Sequence, residues 1–285
     1  MTQILTTPRS VAPRAVRTRH YVMCPPTQFD VVYSINPWMD PTVAVDSAAA
    51  RRQWQELHDT YVRLGHRVDL LEPVPGLPDM VFAANGAVSV GARSYGAAFA
   101  FPQRQAEAHA HVDFLRGAGR EVSRPAHVNE GEGDFLVLAD FVLAGTGFRT
   151  SRDAHTEAAA ALGRPVVSLD LVDPRFYHLD VALAVLDDGG GEAPADIAWF
   201  PGAFSPRSRR TLRRLFPGSL ECSEADALAF GLNLVSDGLN VVLPCEATDL
   251  AAALVPRGYR PAPVALTEFV KGGGSVKCCT AELHR

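Results

Sequence analysis

The stretch KGGGSVKCCTAELHR, residues 271–285, carries the pattern from which the fold can be worked out. Its three consecutive glycines let the backbone adopt conformations that are closed to other residues, and a strand-like segment follows them. That segment presents two adjacent thiols, Cys278 and Cys279. Adjacent residues of a strand point to opposite faces, so one thiol is expected in the core. The other thiol is a candidate nucleophile.

Segments of similar pattern recur along the chain before this stretch. Each has a short strand, a loop with a polar residue and a hairpin of alternating residues, and most have a helix. The corresponding polar points are Asn85, Glu130, His178, Asn233 and Cys278, roughly 45 to 55 residues apart. A period of this length predicts a ring or array of similar units, with the polar residues converging near its axis. The alternative is an ordinary α/β succession whose spacing is accidental.

The composition restricts the class of protein and its partners. A hydrophobic content of 47% with 21% charged residues is typical of a globular protein. A net charge of -5 without a long basic run argues against nucleic acid as a partner. No window is apolar enough to span a bilayer, which argues against a membrane partner. An odd number of cysteines, five, without CxxC spacing, argues against a disulfide framework and a structural zinc site, and favours a reducing, cytoplasmic compartment.

The N-terminal segment differs in composition from the rest of the chain. Residues 1–19 contain four arginines and lack the continuous apolar core of a signal peptide. We expect residues 1–19 to be a disordered lead and residues 20–285 to form a single catalytic domain. A basic docking arm is the alternative function of the lead.

Four motifs occur in a characteristic order: FAANG (82–86), EGEGD (130–134), FYHLD (176–180) and GGGSVKC (272–278). Together they resemble the guanidino-modifying enzymes of the pentein, or amidinotransferase, superfamily. This superfamily includes arginine deiminases, dimethylarginine dimethylaminohydrolases, arginine and succinylarginine dihydrolases, and amidinotransferases. The resemblance extends from about Tyr21 over nearly the whole remaining chain. It implies an α/β fold, an α/β propeller of five ββαβ units with pseudo-fivefold symmetry, in agreement with the repeat.

The resemblance also implies the catalytic residues. Cys278, the first of the pair, takes the place of the nucleophile, and His178 that of the general acid/base. The carbon of a guanidinium resists water, whereas a thiolate can attack it to give a covalent thiouronium adduct. Asp180 matches the carboxylate that binds the guanidinium through two parallel N–H bonds, and we expect it on the same strand face as His178.

A further carboxylate is expected in the EGEGD motif, where relatives read Glu-Gly-Gly-Asp or Asp-Gly-Gly-Asp. The spacing here fits neither glutamate, so a one-residue bulge is implied. Glu130 is the favoured catalytic carboxylate and Glu132 the alternative. Asp134 is expected to support the turn or the histidine.

The resemblance implies binding residues for the amino-acid end of the substrate as well. Arg104 and Arg149 match two arginines that clamp the α-carboxylate in dimethylargininases, a task that suits the planar guanidinium. Asp79 lies where the family contacts the substrate amino group, and Phe82 lines the pocket.

Asn85 departs from the dimethylargininases, which have a Glu-Asp pair after the phenylalanine where this chain has Ala84 and Asn85. Gly273 likewise replaces an aspartate of some relatives. Asn85, together with Asn36 in SINPWMD, resembles the dihydrolases, and an amide can bind a urea-like product as well as a guanidinium. Asparagine in an Asn-Pro loop is, however, ordinarily a turn residue.

The leading hypothesis is a cysteine-dependent hydrolase of linear amidine C–N bonds, without metal or other cofactor, acting on arginine or a close derivative. It favours arginine dihydrolase chemistry, which yields ornithine, ammonia and carbon dioxide. The alternatives are a dimethylargininase, which yields citrulline and methylamines, and an arginine deiminase. An amidinotransferase would use the same residues but require an acceptor amine. The non-enzymatic alternative is a propeller that binds arginine without hydrolysing it. The enzyme's partners include a second copy of the chain, as a homo-oligomer, as an alternative to a monomer.

Overall fold

A computed structural model describes residues 13–285, which fold as a mixed α/β structure. The strands are β1 (His20–Met23), β2 (Arg67–Leu70), β3 (Ala87–Val90), β4 (Arg93–Gly96), β5 (Glu121–Ser123), β6 (Phe135–Val137), β7 (Val142–Thr146), β8 (Val166–Asp170), β9 (Leu183–Asp187), β10 (Asp196–Trp199), β11 (Leu220–Glu221), β12 (Val235–Ser236), β13 (Asn240–Pro244), β14 (Arg260–Val264) and β15 (Ala281–His284). The helices are α1 (Ser47–Arg63), α2 (Glu107–Gly117), α3 (Arg152–Leu162), α4 (Pro206–Leu215), α5 (Glu224–Leu228), α6 (Thr248–Leu254) and α7 (Thr267–Val270). The predicted α/β class is confirmed.

One pattern of strand pairing recurs along the chain. In each of five groups of three strands, the first strand pairs in antiparallel fashion with the second, and the second pairs in parallel with the third. The strand triplets are β3-β4-β5, β6-β7-β8, β9-β10-β11, β12-β13-β14 and β15-β1-β2. Strand β15 also pairs in parallel with β3, which joins two triplets into a six-stranded sheet.

The long helix α1 shows how the local sequence sets the element boundaries. The Asp46 side chain accepts hydrogen bonds from the backbone N–H groups of Ala48 and Ala49, so the helix begins at Ser47. It ends before Gly65, whose φ of 85° is costly for residues with a side chain. No helix within residues 13–285 is long and apolar enough to cross a membrane.

The cysteine pair lies in a turn and not on a strand, which corrects the sequence expectation. The backbone N–H of Cys279 donates to Ser275 O at 3.1 Å, and strand β15 begins only at Ala281. The rule of alternating faces therefore does not apply here. Both Cys278 and Cys279 are buried in the main hydrophobic cluster.

The FYHLD segment differs from the expectation in the same way. His178 is extended, but Leu179–Val181 form a single 3-10 turn. Asp180 thus lies on this turn and not on a strand face shared with His178. A carboxylate from a distant segment stabilises the turn, because Asp134 Oδ1 accepts a hydrogen bond from Leu179 N at 3.0 Å.

Residues 13–19 contact the folded domain through arginine side chains. Their ion pairs include Arg14–Asp187 (3.2 Å), Arg17–Asp187 (2.7 Å) and Arg19–Asp188 (2.8 Å). The acidic partners lie at the turn between β9 and β10, where a nearly buried carboxylate requires a cation. The expectation of a disordered lead thus does not hold for residues 13–19, and residues 1–12 lie outside the described part of the chain.

Candidate active site

The thiol of Cys278 has two polar neighbours. Asn233 Nδ2 donates to Sγ at 3.1 Å, and the Sγ–H group points to Asp180 Oδ2 at 3.4 Å. Burial, together with the charge of Asp180, raises the pKa of Cys278 well above its ordinary value. At neutral pH the residue is therefore a thiol, whose ionisation requires a nearby positive charge.

His178 and Glu130 form a buried acid–base pair. His178 Nε2 lies 2.7 Å from Glu130 Oε2, and Arg149 Nη1 donates to both oxygens of Glu130 at 3.1 and 3.0 Å. Burial opposes ionisation of Glu130, but the hydrogen bond with His178 and the charges of Arg149 and Arg104 outweigh this effect and lower the pKa of Glu130. Because Glu130 is ionised, Nε2 of His178 carries a proton toward it. The second ring nitrogen, Nδ1, is buried and has no partner among residues 13–285.

Gly133 brings Asn85 next to His178. A β-carbon at position 133 would lie 2.4 Å from Asn85 Nδ2 and 3.2 Å from His178 Nδ1. Both nitrogens therefore border the space that the missing side chain leaves. Two predicted site residues from different segments of the chain thus face the same small volume.

Gly274 brings Phe82 next to Cys278 in the same way. A β-carbon at position 274 would lie 2.5 Å from Phe82 Cε1 and 2.9 Å from Cys278 Cβ. The backbone N–H of Ala84 also donates to Cys278 O at 3.1 Å. The FAANG segment therefore packs directly on the turn that carries the nucleophile.

Several buried polar atoms of these segments have no hydrogen-bond partner among the described residues. They are Asp79 Oδ1, Asn85 Nδ2, His178 Nδ1, Asp180 Oδ1 and Ser275 Oγ. Buried polar atoms in folded proteins are nearly always paired, so such atoms on neighbouring segments indicate a binding site. Carboxylate oxygens accept N–H groups and the amide nitrogen donates one, which fits a ligand that carries both donors and acceptors.

Arg104 is bound inside the protein and orients Asn85. Its Nε and Nη2 donate to Glu107 at 3.0 and 2.8 Å, and its Nη1 donates to Asn85 Oδ1 at 2.8 Å. A guanidinium only donates, so Oδ1 must face Arg104 and Nδ2 must face His178. Because Glu107 neutralises Arg104, these contacts do not support the expected clamp on a substrate carboxylate.

Arg149 is likewise engaged by the protein. Besides Glu130, it contacts Ile35 O through Nη2 at 2.7 Å, and its guanidinium lies over the rings of Phe101 and Tyr177 at 4.5 and 4.7 Å. A buried cation requires such a counter-charge. Arg149 thus holds Glu130 in place, which differs from the role expected from the sequence.

Asn36 reaches the site but acts as a turn residue. Its Nδ2 donates to Gly272 O at 3.1 Å and to Tyr177 Oη at 3.4 Å, while its Oδ1 accepts from Trp38 N at 2.9 Å. The amide is therefore occupied by the protein. It attaches the SINPWMD loop to the glycine turn.

Asp79 lies beside Arg104, with its nearest guanidinium nitrogen at 3.8 Å. Its Oδ2 accepts a hydrogen bond from the Tyr33 hydroxyl at 2.9 Å. Burial raises its pKa even though the charge of Arg104 opposes this shift. One carboxylate oxygen remains without a partner among the described residues, so Asp79 can accept a donor of a ligand.

Glu132 is the central residue of a 3-10 turn, Gly131–Gly133, which Glu130 directly precedes and in which Gly131 has a φ of 51°. The Glu132 carboxylate pairs with Lys277 Nζ and accepts from Glu282 N at 3.2 and 3.0 Å. The structure thus places Glu130, and not Glu132, beside His178.

The two glutamates should respond differently to removal of their charge. Glu130→Gln should lower kcat about 10²-fold, since His178 loses the carboxylate that orients it. Both variants break a buried ion pair, Glu130 with Arg149 and Glu132 with Lys277, and both should lower the melting temperature, since such a loss costs about 3–5 kcal/mol. Glu132→Gln should leave the kcat of the folded protein near its original value. Turnover and thermal unfolding of both variants check this. A larger loss of kcat in Glu132→Gln would contradict the assignment.

Asn233 was not among the site residues predicted from the sequence. Only its place in the repeat, equivalent to those of His178 and Cys278, marked it. Its side chain is nevertheless the amide that contacts the sulfur.

The comparisons with known proteins agree with this geometry. No protein-family model matches the chain. The chain is 54% identical over 275 residues to N(G),N(G)-dimethylarginine dimethylaminohydrolase of Mycobacterium tuberculosis. The aligned region covers 96% of this chain and 89% of that protein. The chain belongs to the pentein superfamily of guanidino-modifying enzymes. The predictions of this superfamily and of a hydrolase acting on linear amidine C–N bonds are confirmed.

Another relative of this pentein is the bifunctional arginine dihydrolase/ornithine cyclodeaminase AgrE of a Nostoc species. The two are 35% identical over 267 residues, which is 91% of this chain but only 37% of AgrE. Among solved structures, the N-terminal domain of ArgZ, an asparagine-to-serine variant covalently bound to a reaction intermediate, superposes with a TM-score of 0.89. That domain is 32% identical and the match covers 94% of this pentein and 98% of the domain.

Proposed function

We propose that this pentein hydrolyses the guanidino group of L-arginine or a close derivative through a covalent adduct on Cys278. The observation that carries the proposal is the convergence of a buried thiol, the Asp180 carboxylate and the His178–Glu130 pair. Nucleophile, acid–base residue and orienting carboxylate are the parts that cysteine-dependent hydrolysis needs.

The first half of the reaction begins with binding of the cationic substrate. The guanidinium donates to Asp180, whose Oδ1 has no partner among the described residues, and its positive charge favours the thiolate of Cys278. Burial raises the pKa of Asp180 to about 7, so near neutral pH a substantial fraction is ionised and able to pair. Nδ1 of His178 takes the thiol proton, sulfur bonds to the guanidinium carbon, and the same proton passes to the departing amine. The product of this half-reaction is a thiouronium adduct.

The second half of the reaction releases the adduct. His178 takes a proton from a water molecule, whose oxygen bonds to the same carbon. The carbon–sulfur bond then breaks, sulfur leaves as a thiolate, and the proton held by His178 restores the thiol. The remaining hydroxyl proton of the product, which still carries the positive charge of the adduct, passes to solvent and leaves a neutral ureido group. One amine and one ureido product have formed from substrate and water.

The orientation of Asn85 favours arginine dihydrolase as the first candidate. Its Nδ2 faces His178 as a donor, and a guanidinium offers donors only, so the two do not pair. The ureido oxygen of citrulline, in contrast, can accept a hydrogen bond from Nδ2. If citrulline stays bound in this way, the site can carry out a second hydrolysis, now of the ureido group, which yields ornithine, ammonia and carbon dioxide.

Dimethylarginine hydrolysis is the second candidate. It is supported by the 54% identity with the Mycobacterium tuberculosis protein of that name. The same nucleophile and acid–base pair would release dimethylamine and stop at citrulline.

A product assay distinguishes these candidates. Incubation with L-arginine should yield ornithine with only transient citrulline, since the donor of Asn85 supports the second step. Incubation with Nω,Nω-dimethyl-L-arginine is the parallel reaction, and dimethylamine with accumulating citrulline there would select the second candidate. Dependence on an added amine would select an amidinotransferase. Absence of all products with folded protein would contradict the proposal.

We also propose that residues 20–285 form one catalytic domain whose five strand triplets surround an axis as an α/β propeller. The repeated strand pairing supports this arrangement. So do contacts between equivalent points of different triplets, since Glu130 meets His178 and Asn233 meets Cys278. All five cysteines are free thiols, which supports the expected reducing, cytoplasmic location.

A further inference from the structure

Asn233, in the loop before β12, is completely buried and fixed in orientation against the nucleophile. Its Oδ1 accepts hydrogen bonds from the backbone N–H groups of Ser275 and Cys278 at 3.0 and 3.1 Å. Since backbone N–H groups only donate, the oxygen must lie on that side, and Nδ2 must face the sulfur at 3.1 Å. The direction of this N–H···S bond is therefore determined by the surrounding backbone.

The other polar groups of Asn233 bind to the same two segments. Its Nδ2 also donates to Asp180 O at 3.1 Å, and its backbone oxygen accepts from Lys277 N at 3.1 Å. One side chain thus connects the nucleophile turn to the turn that carries the guanidinium-binding carboxylate. The relative position of Cys278 and Asp180 depends on it.

The backbone that presents Asn233 is strained. Phe230 has a φ of 55°, and within residues 13–285 it is the one non-glycine residue with positive φ. This buried phenylalanine accepts a hydrogen bond from Asn233 N at 2.9 Å and packs on Trp38 with ring centroids 4.7 Å apart. Strained residues of bulky type persist where the surrounding structure enforces them, commonly next to functional groups.

We propose that Asn233 is a catalytic residue that donates a hydrogen bond to the sulfur of Cys278 whenever the sulfur is anionic. This inference rests on the proposed function. The other polar atom in contact with the sulfur is Asp180 Oδ2. When Asp180 is ionised, this oxygen can only accept a hydrogen bond, and its charge repels a thiolate. Asn233 supplies the opposing donor, and donors to an anion form the stronger hydrogen bonds. It acts twice per turnover, when the thiolate attacks and when it leaves the adduct.

Asn233→Asp tests the donor with little change of shape. A carboxylate still accepts from Ser275 N and Cys278 N, but offers no N–H group to the sulfur. Alkylation of Cys278 by iodoacetamide at pH 8, followed by mass spectrometry of its peptide, should become about tenfold slower as the pKa of the thiol rises. Turnover of arginine or dimethylarginine should fall about 10²-fold, as for loss of one preorganised donor. Asn240→Asp, the same change at the first residue of β13, should leave both rates near those of the unmodified protein.

The two measurements separate this inference from the proposed function. If no arginine derivative is turned over, the alkylation rates still report on Asn233. Unchanged alkylation of Cys278 in a folded Asn233→Asp protein, or unchanged kcat, would overturn the inference. Should that variant fail to fold, Asn233→Ser also removes the amide donor. Its rates of Cys278 alkylation and of turnover then decide between the same two outcomes.

Discussion

Cys278→Ser should abolish hydrolysis of the guanidino group, with kcat lowered by at least about 10⁴-fold. A serine hydroxyl is a far weaker nucleophile than a thiol and ionises much less readily, so neither His178 nor the substrate charge can activate it sufficiently. Release of ammonia or dimethylamine measures the loss. Intact mass spectrometry after brief incubation should show an adduct on the unmodified protein and none on the variant.

Cys279→Ala is the matched control for this result. Cys279 follows directly in the same turn and is buried in the main hydrophobic cluster, so its thiol is assigned to packing. The variant should retain turnover and form the adduct. If Cys279→Ala abolished adduct formation while Cys278→Ser retained it, the two thiols would have to exchange roles.

His178→Ala is expected to lower kcat by about 10² to 10⁴-fold, because the leaving amine and the attacking water both lose their proton partner. The second step should suffer as well as the first. Any adduct that forms on Cys278 should therefore persist, which mass spectrometry at successive times detects. His109→Ala on the exposed face of α2 is the control and should turn over normally. A folded His178→Ala protein with undiminished kcat would remove the histidine from the mechanism.

The sequence predicts the parts of the site that depend on local pattern. The glycine turn before Cys278 and the periodic spacing of polar residues are local signals. They marked Glu130, His178 and Cys278 as polar points, and the resemblance to the pentein superfamily implied their catalytic roles. The structure holds these residues within one set of contacting segments. The mixed α/β class follows from the same alternation of strands and helices.

The features that could not be predicted depend on contacts between distant residues. The 3-10 turn after His178 is stabilised by Asp134, so alternation along a strand was the wrong period for placing Asp180. The ion-pair partners of Arg104 and Arg149 could not be predicted from the sequence for a similar reason. An arginine motif does not reveal whether Glu107 or Glu130 will be buried against it, and this burial decides whether the arginine charge is available to a ligand.

The glycines at positions 133 and 274 place part of the chemistry in residues that have no side chain. The nitrogens of Asn85 and His178 share the space at one of them, and Phe82 and Cys278 meet at the other. In a library of all single substitutions, these two positions would behave like catalytic residues, because even one added methyl group fills the volume where the groups converge. The positions that do not tolerate mutation would then identify the empty volume of the active site as well as its reactive side chains.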